Sequence, residues 1–238
     1  MFLFRRRKRP LDLSGFADAH SHILPGVDDG VQTPEESLQI LHRYEQMGVR
    51  EVWLTPHIME DMPNEAADLR ERFSAFEQRY RADGGTLPLH LSAEYMLDHH
   101  FSDVFEAGDL LSHGKGYLLV ETSYFEPPMG FEQTLFSIMT SGYTPILAHP
   151  ERYVYMNEAF YLRLKERGIL FQMNLGSLAG MYGPPAQQKA AWLAGRGLYE
   201  LCGSDIHRST MLDGYARAEI DPKWQLPLAA GSPPEKQS

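Results

Sequence analysis

Short apolar runs alternate with amphipathic stretches along most of the chain, and this pattern predicts strands and helices that take turns. The first helix is the best marked of these elements. Thr33 is a suitable N-cap, Pro34 takes the first helical position, and Glu36 completes a capping box. Apolar residues then recur at helical spacing until Gly48, where we expect the helix to end.

Seven apolar segments are short and separated by helical patterns, which is typical of strands in βα units. The predicted strands span residues 16–24, 49–55, 87–95, 117–122, 145–148, 169–175 and 199–203. The predicted helices span residues 33–48, 65–80, 131–141, 158–167 and 185–194. This alternation favours a parallel sheet closed into a TIM-type α/β barrel that is one unit short. A flat, doubly wound sheet is the alternative.

The length of 238 residues suits one large domain, because a single α/β barrel takes about 200–250 residues. We therefore expect one barrel domain over residues 11–228. Residues 1–10 are predicted to be a basic tail. Residues 229–238 are rich in Pro, Gly and Ser and are predicted to be disordered.

Acidic residues outnumber basic ones, 32 against 22, which gives a formal net charge of -10. A negative surface repels a polyanion, so a general nucleic-acid binder is not expected. The single cysteine, Cys202, rules out an intramolecular disulfide. There is also no apolar run of about 18 residues, the length that suggests a membrane-spanning helix. These features predict a soluble protein of the reducing cytoplasm.

An apolar tip of four residues is followed at once by a basic cluster of Arg5, Arg6, Arg7, Lys8 and Arg9. A secretory signal has the opposite order, with charges before a longer apolar stretch, so export is not predicted. The cluster suits contact with an acidic partner or with an anionic membrane, which would place the protein at the inner face of the membrane. A solvated tail is the alternative.

Imidazole and carboxylate side chains recur where the predicted strands end, and in α/β barrels that edge carries the catalytic groups. Almost every predicted strand contributes one. These residues are His20 and His22 with Asp28 and Asp29 behind them, then His57, Glu94, Glu121, His149, Asp205 and His207.

The spacing of these donors indicates a metal centre. In His20-x-His22 the alternate side chains point to the same side of a strand, so both imidazoles can reach one ion, and Asp205-x-His207 has the same geometry. Counting one of the two aspartates, nine donors exceed the four to six ligands of one ion, so two or three ions fit better. The lack of a thiolate favours manganese, iron or zinc. Taken singly, each donor is equally consistent with a structural role or a surface pair.

A multinuclear site of this kind activates water and binds the oxygens of a phosphorus centre, which favours phosphoester hydrolysis over amide or ring hydrolysis. Arg152, three residues after His149, is expected to bind the phosphate, and Arg208 is a second candidate. A surface ion pair between Arg152 and Glu151 is the alternative.

The segment from Cys202 to Arg208 satisfies the C-x5-R pattern of thiol-dependent tyrosine phosphatases. In those enzymes the loop binds phosphate through backbone amides and lowers the pKa of the thiol. Here Asp205 lies inside the loop, and its charge repels a phosphate unless a metal intervenes. We therefore interpret Cys202 as a buried strand residue.

Together these motifs resemble the PHP superfamily, and more narrowly the bacterial manganese-dependent protein-tyrosine phosphatases of the CpsB/YwqE family. The resemblance covers roughly residues 16–215. It is carried by an ordered set of segments, which are HSHILPGVDDG at 20–30, TPH at 55–57, AEY at 93–95, LAHPERY at 147–153 and GSDIH at 203–207.

The resemblance implies a distorted (β/α)7 barrel, a trinuclear metal centre and removal of phosphate from the tyrosine-rich tail of a membrane-linked tyrosine kinase that controls capsular polysaccharide export. It also favours Asp29 over Asp28, because the family's ligand directly precedes the glycine. The implied ligands are His20, His22, Asp29, His57, Glu94, Glu121, His149, Asp205 and His207. Arg152 matches an arginine that the family assigns to the phosphate. The residues expected to act in catalysis are His149, Arg152, Asp205 and His207.

The sequence thus predicts a metal-dependent protein-tyrosine phosphatase, with manganese as the expected metal. A phosphatase for a small metabolite such as histidinol phosphate is the nearest rival, and a 3′–5′ exonuclease is disfavoured by the acidic balance. A non-catalytic scaffold that binds a kinase is the rival from another class. The aromatic residues that either line the phosphotyrosine pocket or pack at the barrel rim are Tyr95, Phe125, Tyr153 and Tyr155.

Overall fold

The computed structural model describes residues 8–222, 224 and 226–233. Over these residues the strands are β1 (Arg9–Pro10), β2 (Ala17–Ser21), β3 (Glu51–Leu54), β4 (His57–Ile58), β5 (Leu89–Leu91), β6 (Glu94–Met96), β7 (Tyr117–Glu121), β8 (Thr144–Ala148), β9 (Leu170–Asn174), β10 (Leu201–Gly203) and β11 (Glu219–Ile220). The helices are α1 (Pro34–Gln46), α2 (Ala66–Ala82), α3 (His99–Ala107), α4 (Phe131–Thr140), α5 (Glu158–Glu166), α6 (Leu175–Ala179), α7 (Gly183–Ala194) and α8 (Met211–Arg217), with a 3-10 turn at Pro150–Arg152.

All the predicted strands and helices are present, with ends that shift by a few residues. The predicted cap of α1 is confirmed, because the Thr33 side chain accepts a hydrogen bond from the backbone N of Glu36. Three helices were not predicted, namely α3, α6 and α8. They are short, and α6 begins at the residue directly after β9, so its pattern merges with that of the strand.

The strands of the predicted barrel pair in parallel, but they form two sheets and not one closed sheet. Six strands pair in the order β10-β9-β8-β7-β6-β4 and make half of a barrel, and three more pair in the order β2-β3-β5. A separate antiparallel pair joins β1 to β11. The structure therefore shows an α/β fold with a parallel half-barrel, and the full (β/α)7 barrel expected from the sequence is not seen as one closed sheet.

Interruptions in three strands explain the division into two sheets. β3 leads into β4 across Thr55 and Pro56, and a proline has no backbone N–H to donate to a neighbouring strand. β5 leads into β6 across a similar break at residues 92–93. The pairing of β2 with β3 also shifts register between Asp18 and Ser21. The hydrophobic pattern does not reveal these breaks, because the residues on both sides are buried.

The core lies between the sheets and the helices packed around them. Ile40, Leu41 and Tyr44 of α1 are fully buried, and the equivalent inward face of α5 buries Tyr161 and Leu164. Burying one such side chain contributes about 1.5–3 kcal/mol, so packing of this face holds each helix in place more than its intrinsic propensity does.

Residues 229–233 pack against the domain, although their composition predicts disorder. The Arg50 side chain donates a hydrogen bond to the backbone O of Ala229 at 2.7 Å. His113 Nε2 donates to the backbone O of Gly231 at 2.9 Å. These acceptors are main-chain atoms whose partners lie far away in sequence, so composition cannot indicate them. The rest of the predicted tail, 234–238, lies outside the described residues.

Only Lys8 and Arg9 of the basic cluster fall within the described residues, and both are exposed. Arg9 and Pro10 pair with β11, so this part of the predicted tail is attached to the domain. Contact of the cluster with a membrane stays a prediction. In the described part of the chain, no helix combines the length and the apolar character needed to cross a bilayer.

Glu45, in the last turn of α1, connects α1 to α2 and to the loop after it. Its Oε1 accepts hydrogen bonds from the Tyr80 hydroxyl at 2.8 Å and from the backbone N of Thr86 at 2.6 Å, and its Oε2 lies 2.9 Å from His42 Nδ1. Burial alone would raise the pKa of Glu45. The hydrogen bonds outweigh burial and lower this pKa to about 2.

We expect Glu45→Gln to destabilise the fold by about 1–2 kcal/mol at neutral pH, because a charged acceptor is lost. A lowered carboxyl pKa stabilises the folded state above the unfolded pKa of about 4.3, and the contribution disappears as the pH falls through about 2. The difference between wild type and variant should therefore shrink between those pH values in urea denaturation. Glu77→Gln, in a half-exposed pair with Arg81, is the control. A difference that persists at low pH would contradict this assignment.

Candidate metal centre

The ends of the parallel strands bring all nine predicted donors to one edge of the fold. They form four overlapping groups in which the potential ligand atoms lie within 4.8 Å of one another. The groups are His22–Asp29–His57–His207, His20–Glu94–His149, His20–His22–Asp205 and His57–Glu94–Glu121. Several residues belong to two groups, which is the pattern expected where neighbouring metal ions share ligands. Their binding of metal stays a prediction.

Glu94, at the start of β6, lies at the centre of these groups. Its Oε2 is 3.1–3.3 Å from a ring nitrogen of each of three histidines, His20, His22 and His57. Its Oε1 is 3.1 Å from His149 Nε2. Yet Glu94 Oε2 and His57 Nδ1 have no hydrogen-bond partner among the described residues. Buried polar atoms that converge without forming hydrogen bonds fit a shared cation, so the residues present suit divalent metal ions.

The pKa shifts of the carboxyl groups in this cluster also fit bound metal ions. Burial opposes ionisation of Glu94, but His20 and the other imidazoles hold its pKa well below the usual range. Burial and the nearby charge of Glu94 raise the pKa of Glu121 well above its usual value. Asp205 is buried too, and its histidine neighbours keep its pKa below the ordinary range. Divalent cations would remove the repulsion among these three carboxylates.

Two side chains behind the cluster fix the rotation of the first two imidazoles. Gln172 Oε1 accepts a hydrogen bond from His20 Nδ1 at 2.9 Å, and Asp28 Oδ2 accepts one from His22 Nδ1 at 2.8 Å. In both rings this leaves Nε2 facing the other donors. The sequence analysis missed Gln172. A polar residue inside the buried strand β9 is the signal that could have found it.

The adjacent aspartates have different surroundings. The Asp28 side chain is buried, and it also accepts a hydrogen bond from the backbone N of His57 at 3.1 Å. Burial would raise the pKa of Asp28, but the charge of His22 outweighs burial and lowers this pKa to about 2. The Asp29 side chain is 62% exposed, and its Oδ1 lies 3.5 Å from Nε2 of both His57 and His207. This arrangement favours Asp29 as the ligand and Asp28 as the residue that orients His22.

Two of the donors sit on unusual backbone. His149 has φ of 34° and Asp205 has φ of 53°, which is the left-handed region that side chains other than glycine rarely adopt. Such conformations persist where surrounding contacts enforce them, and they cluster at functional sites. Just before Asp205, Gly203 leaves room for the neighbouring strands, since a Cβ there would collide with His20 and Gln172. The turn therefore places the Asp205 carboxylate within the cluster.

Arg152 lies beside the metal groups in a defined position. Its guanidinium carbon is 4.3 Å from the ring centre of Tyr124 and 4.2 Å from that of Tyr182, so the guanidinium packs against both rings. Its NH1 donates to Asp205 Oδ2 at 2.7 Å. The other carboxylate oxygen of Asp205 is the one that faces the imidazoles. Arg152 thus carries positive charge at the edge of the cluster.

The surface pair of Arg152 with Glu151, considered as an alternative above, is wrong. Glu151 is buried and accepts hydrogen bonds from the backbone N of Asn174 at 3.0 Å and from the Tyr199 hydroxyl at 2.9 Å. Consecutive residues of a 3-10 turn point in different directions, which separates the two side chains. The adjacent positions in the sequence could not show this.

Cys202 is a fully buried residue of β10, as interpreted from the sequence. Burial, with the charges of Glu151 and Asp18 added, raises the pKa of its thiol well above the usual value. A nucleophilic cysteine needs a lowered pKa and access to substrate. The C-x5-R match is therefore not a thiol active site. Arg208, at its other end, is exposed and lines the mouth of the cavity described next.

A cavity of about 560 Å³ opens above the donor cluster. Its lining residues are Asp29, His57, Met59, Met62, Glu94, Met96, Glu121, Tyr124, His149, Arg152, Met181, Tyr182, Asp205, His207, Arg208, Thr210 and Met211. Of the two roles considered for the four aromatic residues named from the sequence, lining of this cavity is not seen. Tyr95 and Tyr153 are fully buried in the core, Tyr155 is half-buried and bonded to Thr122, and Phe125 is 77% exposed outside the cavity. The aromatic residues that do line the cavity are Tyr124 and Tyr182.

Comparison with known proteins finds relatives over most of the chain. The profile of the family described as "Capsular polysaccharide synthesis, CpsB/CapC" matches residues 16–213. Tyrosine-protein phosphatase YwqE of Bacillus subtilis is 30% identical over 196 residues, covering 80% of this chain and 76% of that one. Tyrosine-protein phosphatase CpsB of Streptococcus pneumoniae is 26% identical over 215 residues, covering 86% and 88%.

A solved structure from a study of YwqE from Bacillus subtilis and CpsB from Streptococcus pneumoniae, described as unique metal-dependent tyrosine phosphatases, superposes with a TM-score of 0.74. It is 28% identical in sequence, and the match covers 81% of this chain and 79% of that one. The fold and the resemblance stated from the motifs therefore agree with an independent structural match.

We expect Gln172→Ala to lower the affinity for Mn²⁺ about 10- to 100-fold, because His20 loses the partner that fixes its ring. The measurement is titration of metal-free protein with Mn²⁺ in competition with a chelating dye. Gln78→Ala, at an exposed position of α2, is the control and should bind as wild type does. Unchanged affinity in a folded Gln172→Ala protein would remove Gln172 from the metal site.

Proposed function

Because the chain belongs to the CpsB/CapC family of capsular polysaccharide synthesis, we propose that it is a metal-dependent phosphatase that hydrolyses phosphotyrosine in proteins. The observation that carries this proposal is the cluster of nine nitrogen and oxygen donors around Glu94, with the Arg152 guanidinium at its edge. The naming of the relatives as tyrosine-protein phosphatases supports the choice of substrate.

Two or three divalent ions fit the four donor groups, and manganese is the proposed metal, with iron and zinc as alternatives. When bound, such ions supply an activated water and neutralise the charge of the phosphate. The proposed ligands are His20, His22, Asp29, His57, Glu94, Glu121, His149, Asp205 and His207. Their imidazole and carboxylate chemistry supports this choice, and the buried thiol of Cys202 has no part in it.

Arg152 is the proposed phosphate ligand of the protein itself. A guanidinium has five N–H donors, and the bond to Asp205 leaves others for the non-bridging oxygens, where charge builds in the transition state. Tyr124 and Tyr182 hold the plane of the guanidinium. Arg208, at the mouth, is a second proposed contact for the phosphate. A phenolate leaving group, with a pKa of about 10, needs less protonation than an alkoxide does.

His149, Asp205 and His207 complete the proposed catalytic set. His207 is the most accessible of the three, with 21% of its side chain exposed. Its Nδ1 donates to the backbone O of Asp205 at 2.9 Å, so Nε2 is directed toward Asp29 and the cavity. In this proposal these residues act through the metal ions that they would hold and orient the attacking water.

We also propose that the two parallel sheets act together as the distorted seven-unit barrel of the family. Support comes from the edge between β2 and the segment after β10. There the backbone N of His22 donates to the O of Ile206 at 3.0 Å, and the N of Asp205 donates to the O of His20 at 2.8 Å. These bonds connect the two sheets at the donor cluster.

A protein substrate is supported by apolar residues next to the cavity. Phe125 directly follows Tyr124, and the backbone N of Val154, two residues after Arg152, donates to the O of Tyr124. Phe125 is 77% exposed and Val154 is 62% exposed. In this proposal these two exposed side chains contact the protein that carries the phosphotyrosine. The proposed partner is a bacterial tyrosine kinase of capsule export, which the protein would bind at the inner face of the membrane.

The test of the function is initial-rate hydrolysis of a phosphotyrosine peptide, a phosphoserine peptide and histidinol phosphate. We expect turnover that is selective for phosphotyrosine with Mn²⁺, that is lost with EDTA and that returns on adding Mn²⁺. His149→Ala and Asp205→Ala should be inactive at any Mn²⁺ level, whereas Cys202→Ser should stay within a few-fold of wild type. Preference for histidinol phosphate would support the metabolite phosphatase. Retained metal without turnover would support the scaffold.

We expect Arg152→Ala to lower kcat about 100-fold with a smaller change in KM, since the lost contact strengthens in the transition state. Metal content must be measured in parallel, because Arg152 also holds Asp205. Arg163→Ala, which removes an exposed partner of Glu132, is the matched control and should keep full activity. An unchanged kcat in metal-loaded Arg152→Ala protein would remove Arg152 from the site.

A further inference from the structure

Five of the eleven methionines of the chain line the catalytic cavity. They come from four separate segments, namely the turn after β4, the end of β6, the connection between α6 and α7, and the start of α8. We call this set the methionine rim; its members are Met59, Met62, Met96, Met181 and Met211. None of the five is fully buried. Met211 also packs against the core, whereas the other four rim residues are outside the core clusters.

Backbone hydrogen bonds hold the turn that carries Met59 and Met62, whereas at Met211 the thioether itself is bonded, because its Sδ accepts from the backbone N of His207 at 3.4 Å. Met59 and Met62 form a tight turn closed by reciprocal backbone hydrogen bonds of 3.1 and 3.0 Å. The backbone N of Glu60 in this turn donates to Asp98 Oδ2 at 2.7 Å, which ties the turn to the loop after β6. Met181 is 41% exposed. The segments are thus fixed while the side chains can adjust to a ligand.

The chemistry of the cavity wall separates two kinds of phosphate ester. The proposed phosphate-binding groups of the cavity are residues of the metal groups and Arg152. The other lining residues are the rim, Tyr124 and Tyr182, with Thr210 and Arg208 as further polar groups. A polar alcohol would leave its hydroxyl or amino groups unpaired against thioethers. An aromatic ring gains apolar contact there, together with favourable sulfur–aromatic interactions.

We propose that the methionine rim selects aryl phosphates over alkyl phosphates. This inference rests on the proposed function and adds to it the residues that determine specificity. Unbranched thioether side chains are flexible and polarizable, so they can adjust to the face and edge of an aromatic ring. Aryl phosphates outside peptides should therefore also be substrates.

The test uses binding, so that it does not depend on turnover. The Mn²⁺-loaded full chain is titrated calorimetrically with phenyl phosphonate and with methyl phosphonate, which share the phosphonate group and differ in the aryl group. We expect wild type to bind the phenyl compound at least about tenfold more tightly. In Met59→Ala/Met181→Ala this preference should fall to about threefold or less, with the affinity for methyl phosphonate and the Mn²⁺ content unchanged.

Control variants separate the rim from methionine loss in general. Met129→Ala, at a fully exposed position outside the cavity, should keep the wild-type preference. Met59→Leu/Met181→Leu preserves the apolar volume of the rim and should retain most of the preference for phenyl phosphonate. If the double alanine variant does not fold, Met181→Ala alone changes an exposed side chain and should lower the preference about threefold.

The outcomes distinguish this inference from the proposed function. Equal affinity of wild type for the two phosphonates, or a preference unchanged in folded Met59→Ala/Met181→Ala, would overturn the role of the rim. Hydrolysis supplies a second readout, because the ratio of kcat/KM for a phosphotyrosine peptide over a phosphoserine peptide should fall by the same factor in the variant. A wild type that hydrolyses neither peptide refutes the function, while the phosphonate preference still decides the rim.

Discussion

Several carboxylates are buried close together at the donor cluster, and the residues around them are arranged to hold them there. Glu94 and Asp205 are buried within reach of the same imidazoles, and Glu121 lies beside Glu94 with a raised pKa. Such a cluster is unfavourable unless cations neutralise it. The supporting residues act on the geometry of this cluster, as when Gln172 and Asp28 set the rotation of the imidazoles.

The scaffold holds that cluster in place by locking together the strands that carry the donors. Asp18, on β2, accepts hydrogen bonds from the backbone N of Ser204 at 2.7 Å and its Oγ at 2.6 Å, and from the Tyr44 hydroxyl at 2.9 Å. Burial raises the pKa of Asp18 to about 6. This contact joins the strand of His20 to the strained turn of Asp205. A packed, hydrogen-bonded interior can hold such a turn because it leaves no room for relaxation.

Two kinds of residue line the cavity. The proposed metal ligands and Arg152 suit a phosphate whose charge grows during hydrolysis. The methionine rim, Tyr124 and Tyr182 suit the flat, apolar body of a tyrosine side chain. In the two proposals made above, phosphate chemistry and substrate selection therefore rest on different residues of the same site.

The sequence alone determined the family, the order of the main strands and helices, and the donor set, because period-two spacing and chain order place His20, His22 and the other donors at one strand edge. Four features became visible in the folded structure alone, namely the break at Pro56, the different positions of Asp28 and Asp29, the packing of Arg152 and the methionine rim. These features depend on contacts between segments far apart in the chain, and such contacts leave no local periodic pattern in the sequence.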